Sequence, residues 1–192
     1  MVINNRKGAT MKTIAWVIII TCAVTGASFG QGKDTTSLKV GDPAPDFTLP
    51  YATKDSVASD ELKLSSLFGK RNIILAFYPA DWSGGCTKEM CTMRDNFTAL
   101  SRLDAEVLPI SGDYEYSHHE WAKYHNLPFK LVADHKHEVA KTYSSYNEMD
   151  GMNKRTVYVI DKNGRIVYMD LQYKARDMNS YDKLTAALKN LK

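Results

Sequence analysis

The sequence has few cysteines, lacks a long hydrophobic run and carries almost no net charge outside its first residues. No stretch approaches the 18 consecutive apolar residues of a transmembrane helix, which argues against an ordinary membrane span. Residues 1–30 hold three basic and no acidic side chains, and the rest of the chain has 22 of each sign. A neutral body excludes the basic surface typical of nucleic-acid-binding proteins. Internal repeats and low-complexity segments are also absent from the sequence.

The first 30 residues have the order of a secretory signal peptide. Arg6 and Lys7 precede a short apolar stretch at residues 14–24, and small residues follow at 25–30. A positive end, a short apolar run and small residues before the cleavage point define such signals. This pattern predicts cleavage before Gln31.

The remaining chain is predicted to be one exported domain at residues 40–192, preceded by a polar linker at 31–39. Met11 offers a second start for the signal, and a retained N-terminal anchor is the alternative to cleavage. Cys22 lies in the apolar run and would leave with the signal. The mature chain would then hold two cysteines, an even number that suits an oxidising periplasmic or other extracytoplasmic compartment.

Strand and helix patterns alternate along this domain. Strands are predicted at 46–49, 72–78, 105–111, 130–133, 155–161 and 165–170, and helices at 84–103, 114–125, 138–143 and 181–191. Pro50 is expected to end the first strand, and Asn163-Gly164 predicts a hairpin between the last two. The order predicts an α/β fold in which helices flank a mixed central sheet.

Cys86 falls at the junction between the apolar strand 72–78 and the long predicted helix. Gly84 and Gly85 precede it and allow a tight turn that presents backbone N–H groups. A thiol in the first helical turn also faces the positive end of the helix dipole, which favours the thiolate. The alternative is that Cys86 is a small core residue, because free cysteine is often buried.

The residues around Cys86 form a longer pattern that resembles the active-site segment of peroxiredoxins, above all the peroxiredoxin Q (bacterioferritin comigratory protein) branch. The pattern is Pro79-x-x-x-Ser83-x-x-Cys86-x-x-Glu89-x-Cys91, followed by Arg94-Asp95. Further similarity lies at residues 44–49, 74–79 and 156–165, and the resemblance covers about residues 40–191. It implies a thioredoxin-like fold of the peroxiredoxin type.

The resemblance also implies a reaction and assigns roles to the two cysteines. Cys86 would be the peroxidatic cysteine, whose thiolate attacks hydrogen peroxide or an organic hydroperoxide and becomes a sulfenic acid. Cys91 would resolve it as an intramolecular disulfide, which a thioredoxin-like reductant returns to the dithiol. No cofactor or metal is implied, and a monomer or weak dimer is expected.

Three further site residues follow from the same resemblance. Ser83 would donate its hydroxyl to the thiolate or peroxide, and Pro79 would shield the pocket without adding an N–H donor. Arg155 would stabilise negative charge on the sulfur and the leaving oxygen. Glu89 is expected to be a structural partner of backbone or arginine groups. Trp82 and Gly84 depart from the family pattern, which leaves the preferred peroxide open.

The cysteine spacing adds a geometric condition. Five residues along a helix advance about 7.5 Å and rotate about 140°, which separates the Cα atoms by about 8–9 Å. A disulfide needs Cα atoms about 4.4–6.8 Å apart. If both cysteines lie on one helix, we expect its first turns to unwind before Cys86 and Cys91 can bond.

Two other functions remain open at this point. A thiol–disulfide oxidoreductase of the same fold would want Cys-x-x-Cys, whereas Glu89 occupies the place of the second cysteine. A copper-binding redox module would need histidine ligands. The available residues are His118, His119, His125, His135 and His137. Those at 118, 119 and 125 are expected to be solvated on the wet face of a helix, which makes metal binding the weaker interpretation.

Overall fold

The computed structural model describes Met1 and residues 37–191. The chain divides into units at 1–34 and 35–192, and residues 37–191 belong to the second. The predicted signal peptide and residues 31–36 of the predicted linker lie outside the described residues, so both stay predictions. In the part of the chain that is described, no helix combines the length and hydropathy needed to cross a membrane.

Strands and helices alternate largely as the sequence predicts. The strands are β1 (Thr48–Ala52), β2 (Val57–Lys63), β3 (Asn72–Phe77), β4 (Ala105–Ser111), β5 (Leu131–Ala133), β6 (Tyr146–Asn147), β7 (Met152–Asn153), β8 (Thr156–Ile160) and β9 (Ile166–Asp170). The helices are α1 (Gly84–Asp95), α2 (Phe97–Arg102), α3 (Glu115–His125), α4 (Glu138–Thr142) and α5 (Met178–Lys189). A 3₁₀ helix at Leu64–Leu67 follows β2.

Seven strands form one mixed sheet in the order β2-β1-β5-β4-β3-β8-β9. The strand β3 runs parallel to β4 and antiparallel to β8, and all six of its residues are buried. Burying one of its Ile or Leu side chains contributes about 1.5–3 kcal/mol relative to exposure. The predicted α/β fold with a mixed central sheet is therefore confirmed.

The prediction of one continuous helix at 84–103 is wrong. The chain forms α1 and α2 instead, separated at Asn96, whose backbone has φ −103° and ψ 10°. The Asn96 side chain donates to the Thr92 carbonyl at 2.8 Å. Asparagine side chains compete with the backbone for such carbonyls, which explains a break that hydrophobic spacing alone does not show.

The predicted end of the first strand at Pro50 is also wrong. The strand β1 continues to Ala52, and its pairing with β2 shifts register between Pro50 and Ala52. A proline is tolerated at such an irregularity because no ladder hydrogen bond is required of it there. The strand β2 was not predicted, because most of its residues are polar and all but Leu62 are partly or fully exposed.

The predicted hairpin between β8 and β9 is present and places Arg155 near the end of β3. Gly164 in its turn has φ +76°, and a Cβ there would lie 2.6 Å from the Phe68 ring. Thr156 begins β8 opposite Phe77, the last residue of β3. Arg155 thus lies beside the point where the chain leaves the sheet toward Cys86.

Candidate active site

Cys86 occupies the first turn of α1, as predicted, and Ser83 caps that helix. Ser83 has extended backbone angles, and its Oγ accepts a hydrogen bond from the Cys86 N–H at 3.3 Å. A serine hydroxyl that accepts through a lone pair keeps its own hydrogen for another acceptor. Ser83 can therefore hold the helix start and still donate to an anionic group nearby.

Cys86 is fully buried and belongs to the main hydrophobic core, together with Met90 and Met93 of the same helix. Cys86 is therefore a core residue by its packing, and it is also the cysteine that the sequence predicts to be reactive. Its neighbour Gly85 lines an open cavity of about 330 Å³ with Arg155 and Tyr173. This cavity is therefore bordered by the residue before Cys86 and by the arginine that contacts the sulfur.

Arg155 contacts both Cys86 and Glu89. Its Nη2 donates to Cys86 Sγ at 3.0 Å, and its Nη1 donates to Glu89 Oε2 at 2.5 Å. A Cβ on Gly85 would lie 2.8 Å from Arg155 Nη2, so glycine permits this approach. The fixed positive charge of the guanidinium therefore lies directly against the sulfur.

Glu89 is buried, and the arginine partner expected for it is Arg155. Burial raises the pKa of Glu89 from 4.5 to about 7, although the charge of Arg155 and its hydrogen bond oppose that shift. The second carboxylate oxygen, Oε1, is buried without a hydrogen-bond partner. An unsatisfied oxygen of this kind further favours the protonated acid.

Cys91 lies on the same intact helix as Cys86 and is half-buried, and both thiols are free. The helical geometry predicted from their spacing is therefore present in this state. Pro79 is half-buried and follows β3 by two residues. The catalytic roles assigned to Cys86, Arg155, Pro79, Ser83 and Cys91 all remain predictions.

The expectation that His118 is solvated is wrong. Its side chain has no exposed surface, and Nδ1 lies 2.9 Å from Asp81 Oδ2, which is equally buried. Trp121 and Ala122 of the same helix are also buried. The spacing of three and four residues from position 118 is the signal that could have identified this inward face.

The other four histidines are half-buried. The His125 ring packs against aromatic side chains, including Trp82, and the remaining three have hydrogen-bonding partners other than the cysteines. His119 Nδ1 lies 2.8 Å from the Thr53 carbonyl oxygen. His135 contacts Glu115, and His137 contacts Asn153. Within residues 37–191, no group of three or more potential metal-ligating side chains comes together. No observation in this part of the chain favours the copper-binding alternative.

The fold and the Cys86 site define a member of the AhpC/TSA family. The model of that family matches residues 40–169, and the chain belongs to it. This membership confirms the resemblance on which the site residues were assigned.

Individual relatives agree with this assignment. The chain is 33% identical over 147 residues to peroxiredoxin Bcp of Bacillus subtilis (strain 168), a match that covers 73% of this chain and 90% of that protein. It is 37% identical over 130 residues to chloroplastic peroxiredoxin Q of Oryza sativa subsp. japonica, covering 67% of this chain. That match spans 57% of the rice protein, which is less than two thirds of its length.

Solved structures show the same fold. Peroxidoxin BcpB from Mycobacterium tuberculosis superposes with a TM-score of 0.70 at 26% identity, over 81% of this chain and 99% of that one. The reduced 2-Cys peroxiredoxin of Plasmodium vivax gives a TM-score of 0.71 at 24% identity, over 80% and 83% of the two chains. The predicted thioredoxin-like fold of the peroxiredoxin type is confirmed.

Proposed function

We propose that this protein is a thiol-dependent peroxidase that reduces hydrogen peroxide and organic hydroperoxides. The Cys86 thiolate attacks one peroxide oxygen, an S–O bond forms and the O–O bond breaks. The other oxygen leaves as water or alcohol after taking up a proton, and Cys86 becomes a sulfenic acid. The contact of Arg155 Nη2 with Cys86 Sγ at 3.0 Å is the observation that carries this proposal.

Two donors would stabilise the charge that develops during attack. The guanidinium of Arg155 faces the sulfur and can also donate to the peroxide oxygens. The second donor is the Ser83 hydroxyl at the start of α1, whose hydrogen is not used in capping the helix. Donors that are already in place lower the barrier because little reorganisation is needed during the reaction.

Cys91 would then resolve the sulfenic acid. Its thiolate attacks Cys86 sulfur, hydroxide leaves as water after protonation, and a Cys86–Cys91 disulfide forms. On an intact helix, the Cα atoms of residues five apart are about 8–9 Å from each other, too far for a disulfide. We therefore include unwinding of the first turns of α1 as an obligatory step.

A thioredoxin-like dithiol protein would return the disulfide to two thiols. The signal-like sequence at residues 1–30 favours export, so this donor would face an extracytoplasmic compartment. A monomer or weak dimer suffices, because both proposed redox cysteines belong to one chain.

Mass spectrometry after one equivalent of hydrogen peroxide tests the cycle. We expect a loss of two hydrogens that maps to a Cys86–Cys91 link, together with consumption of the peroxide. A Cys91→Ser variant should instead carry a sulfenic or overoxidised Cys86. If peroxide leaves both cysteines reduced, but a disulfide-bonded peptide oxidises them to a disulfide as its own two thiols are released, the oxidoreductase alternative replaces the peroxidase.

A further inference from the structure

A buried polar network joins the loop before Cys86 to helix α3. Asp81 lies in that loop, and its carboxylate has three polar neighbours. Tyr78 Oη donates to Oδ1 at 2.8 Å, Ser117 Oγ donates to Oδ2 at 2.8 Å, and His118 Nδ1 lies 2.9 Å from Oδ2. The side chains of Asp81 and His118 have no exposed surface. The peroxidase mechanism proposed above uses none of these groups.

Both ring nitrogens of His118 face oxygen atoms of other residues. Its Nε2 lies 3.3 Å from the carbonyl oxygen of Val132, which can only accept. Its Nδ1 faces the Asp81 carboxylate, which also accepts when it is ionised. Two acceptors 2.9 Å apart would repel each other, so a hydrogen bond joins Nδ1 to the Asp81 carboxylate. The two side chains form one hydrogen-bonded unit that is sealed from water.

The backbone of Asp81 connects this unit to the start of α1. The Asp81 carbonyl accepts from the Ser83 N–H at 2.8 Å, and Ser83 Oγ in turn accepts from the Cys86 N–H. The Asp81 N–H donates to Asp113 Oδ2 at 2.9 Å. Trp82, between Asp81 and Ser83, has φ +60°, a conformation that L-residues with large side chains rarely adopt. Such a conformation persists only where neighbouring contacts impose it.

We propose that Asp81 and His118 are positioning residues that hold the Cys86 loop in its peroxide-reducing conformation. The buried pair fixes Asp81, Asp81 fixes the capping residue Ser83, and Ser83 fixes the first turn in which the sulfur meets Arg155. This inference rests on the proposed peroxidase function, and it concerns the first chemical step. Neither side chain contacts the sulfur in the structure, so the effect passes through the loop.

Leucine and amide variants at both positions test the proposal. His118→Leu and Asp81→Leu remove the hydrogen bonds, whereas His118→Asn and Asp81→Asn retain an amide that can bridge to the remaining partner. His119→Leu, one residue along α3, is the matched control. The rate constant for oxidation of Cys86 by hydrogen peroxide is measured for each in a Cys91→Ser background, with circular dichroism to verify folding.

We expect both leucine variants to slow Cys86 oxidation at least about tenfold, because a displaced charged donor loses most of its effect. The amide variants should return to within about threefold of the parent, and His119→Leu should match the parent. Equal slowing by leucine and amide variants, or no slowing by folded leucine variants, would overturn the proposal. An unreactive parent would instead overturn the peroxidase function itself.

A measurement on the unmodified chain covers the case in which the leucine variants do not fold. In ¹⁵N-histidine NMR spectra, the proton between His118 and Asp81 should give a downfield resonance that exchanges slowly with water. Rapid exchange of that proton would contradict a sealed unit and overturn the proposal.

Discussion

Nη2 of Arg155 lies 3.0 Å from Sγ of Cys86, although the two residues are 69 positions apart in the sequence. The antiparallel pairing of β3 with β8 makes this contact possible, because it aligns the end of one strand with the start of the other. Gly85 completes the arrangement by leaving room for the guanidinium. A neutral replacement of Arg155 should therefore have two consequences: slower reaction at the sulfur, and loss of the ion pair with Glu89.

Replacement of Arg155 by Met should slow Cys86 oxidation about a hundredfold, because a charged donor in a buried site is lost. It should also reduce the free energy of unfolding by about 3 kcal/mol, since the buried Glu89 loses its partner. Stopped-flow kinetics and urea unfolding measure the two effects. The double variant Arg155→Met/Glu89→Gln should recover stability without recovering the rate. Recovery of both would show that Arg155 acts only through folding.

The two adjacent glycines should respond differently to alanine. A Cβ on Gly84 meets no atom within 4 Å, so Gly84→Ala stabilises the helix start, by up to about 1 kcal/mol. If α1 must unwind, disulfide formation should slow up to about fivefold and overoxidation of Cys86 should increase. Gly85→Ala places a Cβ 2.8 Å from Arg155 and should slow the first step instead. Quenched-flow mass spectrometry distinguishes the steps, and identical behaviour of the two variants would contradict this assignment.

The pH dependence of stability should reveal the buried carboxyl of Glu89. Its pKa is about 7 in the folded protein, above the ordinary 4.5, because burial penalises the charged form. The folded state therefore binds the proton more tightly, and this stability is present below pH 4.5 and lost as the pH rises through 7. The loss is roughly 3 kcal/mol at most, from about 1.4 kcal/mol for each pH unit. Urea unfolding measures the free energy of unfolding of the wild type and of Glu89→Gln between pH 4.5 and 8. This free energy should fall with rising pH more steeply in the wild type than in Glu89→Gln. The same pH dependence in both proteins would refute the prediction.

Ser83 should contribute to both stability and reactivity. Ser83→Ala removes the helix cap at the Cys86 N–H and should cost about 1 kcal/mol of stability. It also removes the hydroxyl donor, so oxidation of Cys86 should slow about tenfold or more. Ser83→Thr keeps the hydroxyl and serves as the control, with a rate close to that of the wild type. If Ser83→Ala is less stable but its Cys86 is oxidised at the wild-type rate, Ser83 acts only as a helix cap.

The sequence predicts the central strands and the cysteine loop well, because long apolar runs and their turn residues are local signals. Residues 105–111 form β4 with the predicted bounds. The polar strand β2 could not be predicted from its own residues, because its pairing with β1 is what makes it a strand. The break at Asn96 depends on one side-chain hydrogen bond, which hydrophobic spacing does not encode.

The site was predictable where the family pattern is local, and less so where it depends on tertiary contacts. Arg155 was assigned from resemblance, but its bridge between Cys86 and Glu89 requires the pairing of two distant strands. No pattern in the sequence singled out Asp81, and His118 was expected to be solvated because it lies in a polar helix segment. Only the packing of α3 against the sheet converts this position into a buried one.

The rate constant for oxidation of Cys86 by hydrogen peroxide at pH 7, measured in the Cys91→Ser variant, tests the proposed peroxidase function directly. The preorganised donors around the sulfur predict a value roughly a thousandfold above that of an unactivated cysteine thiol. The product should be a sulfenic acid on Cys86. A rate no greater than that of a free thiol would contradict the peroxidase proposal and leave only the fold and the family.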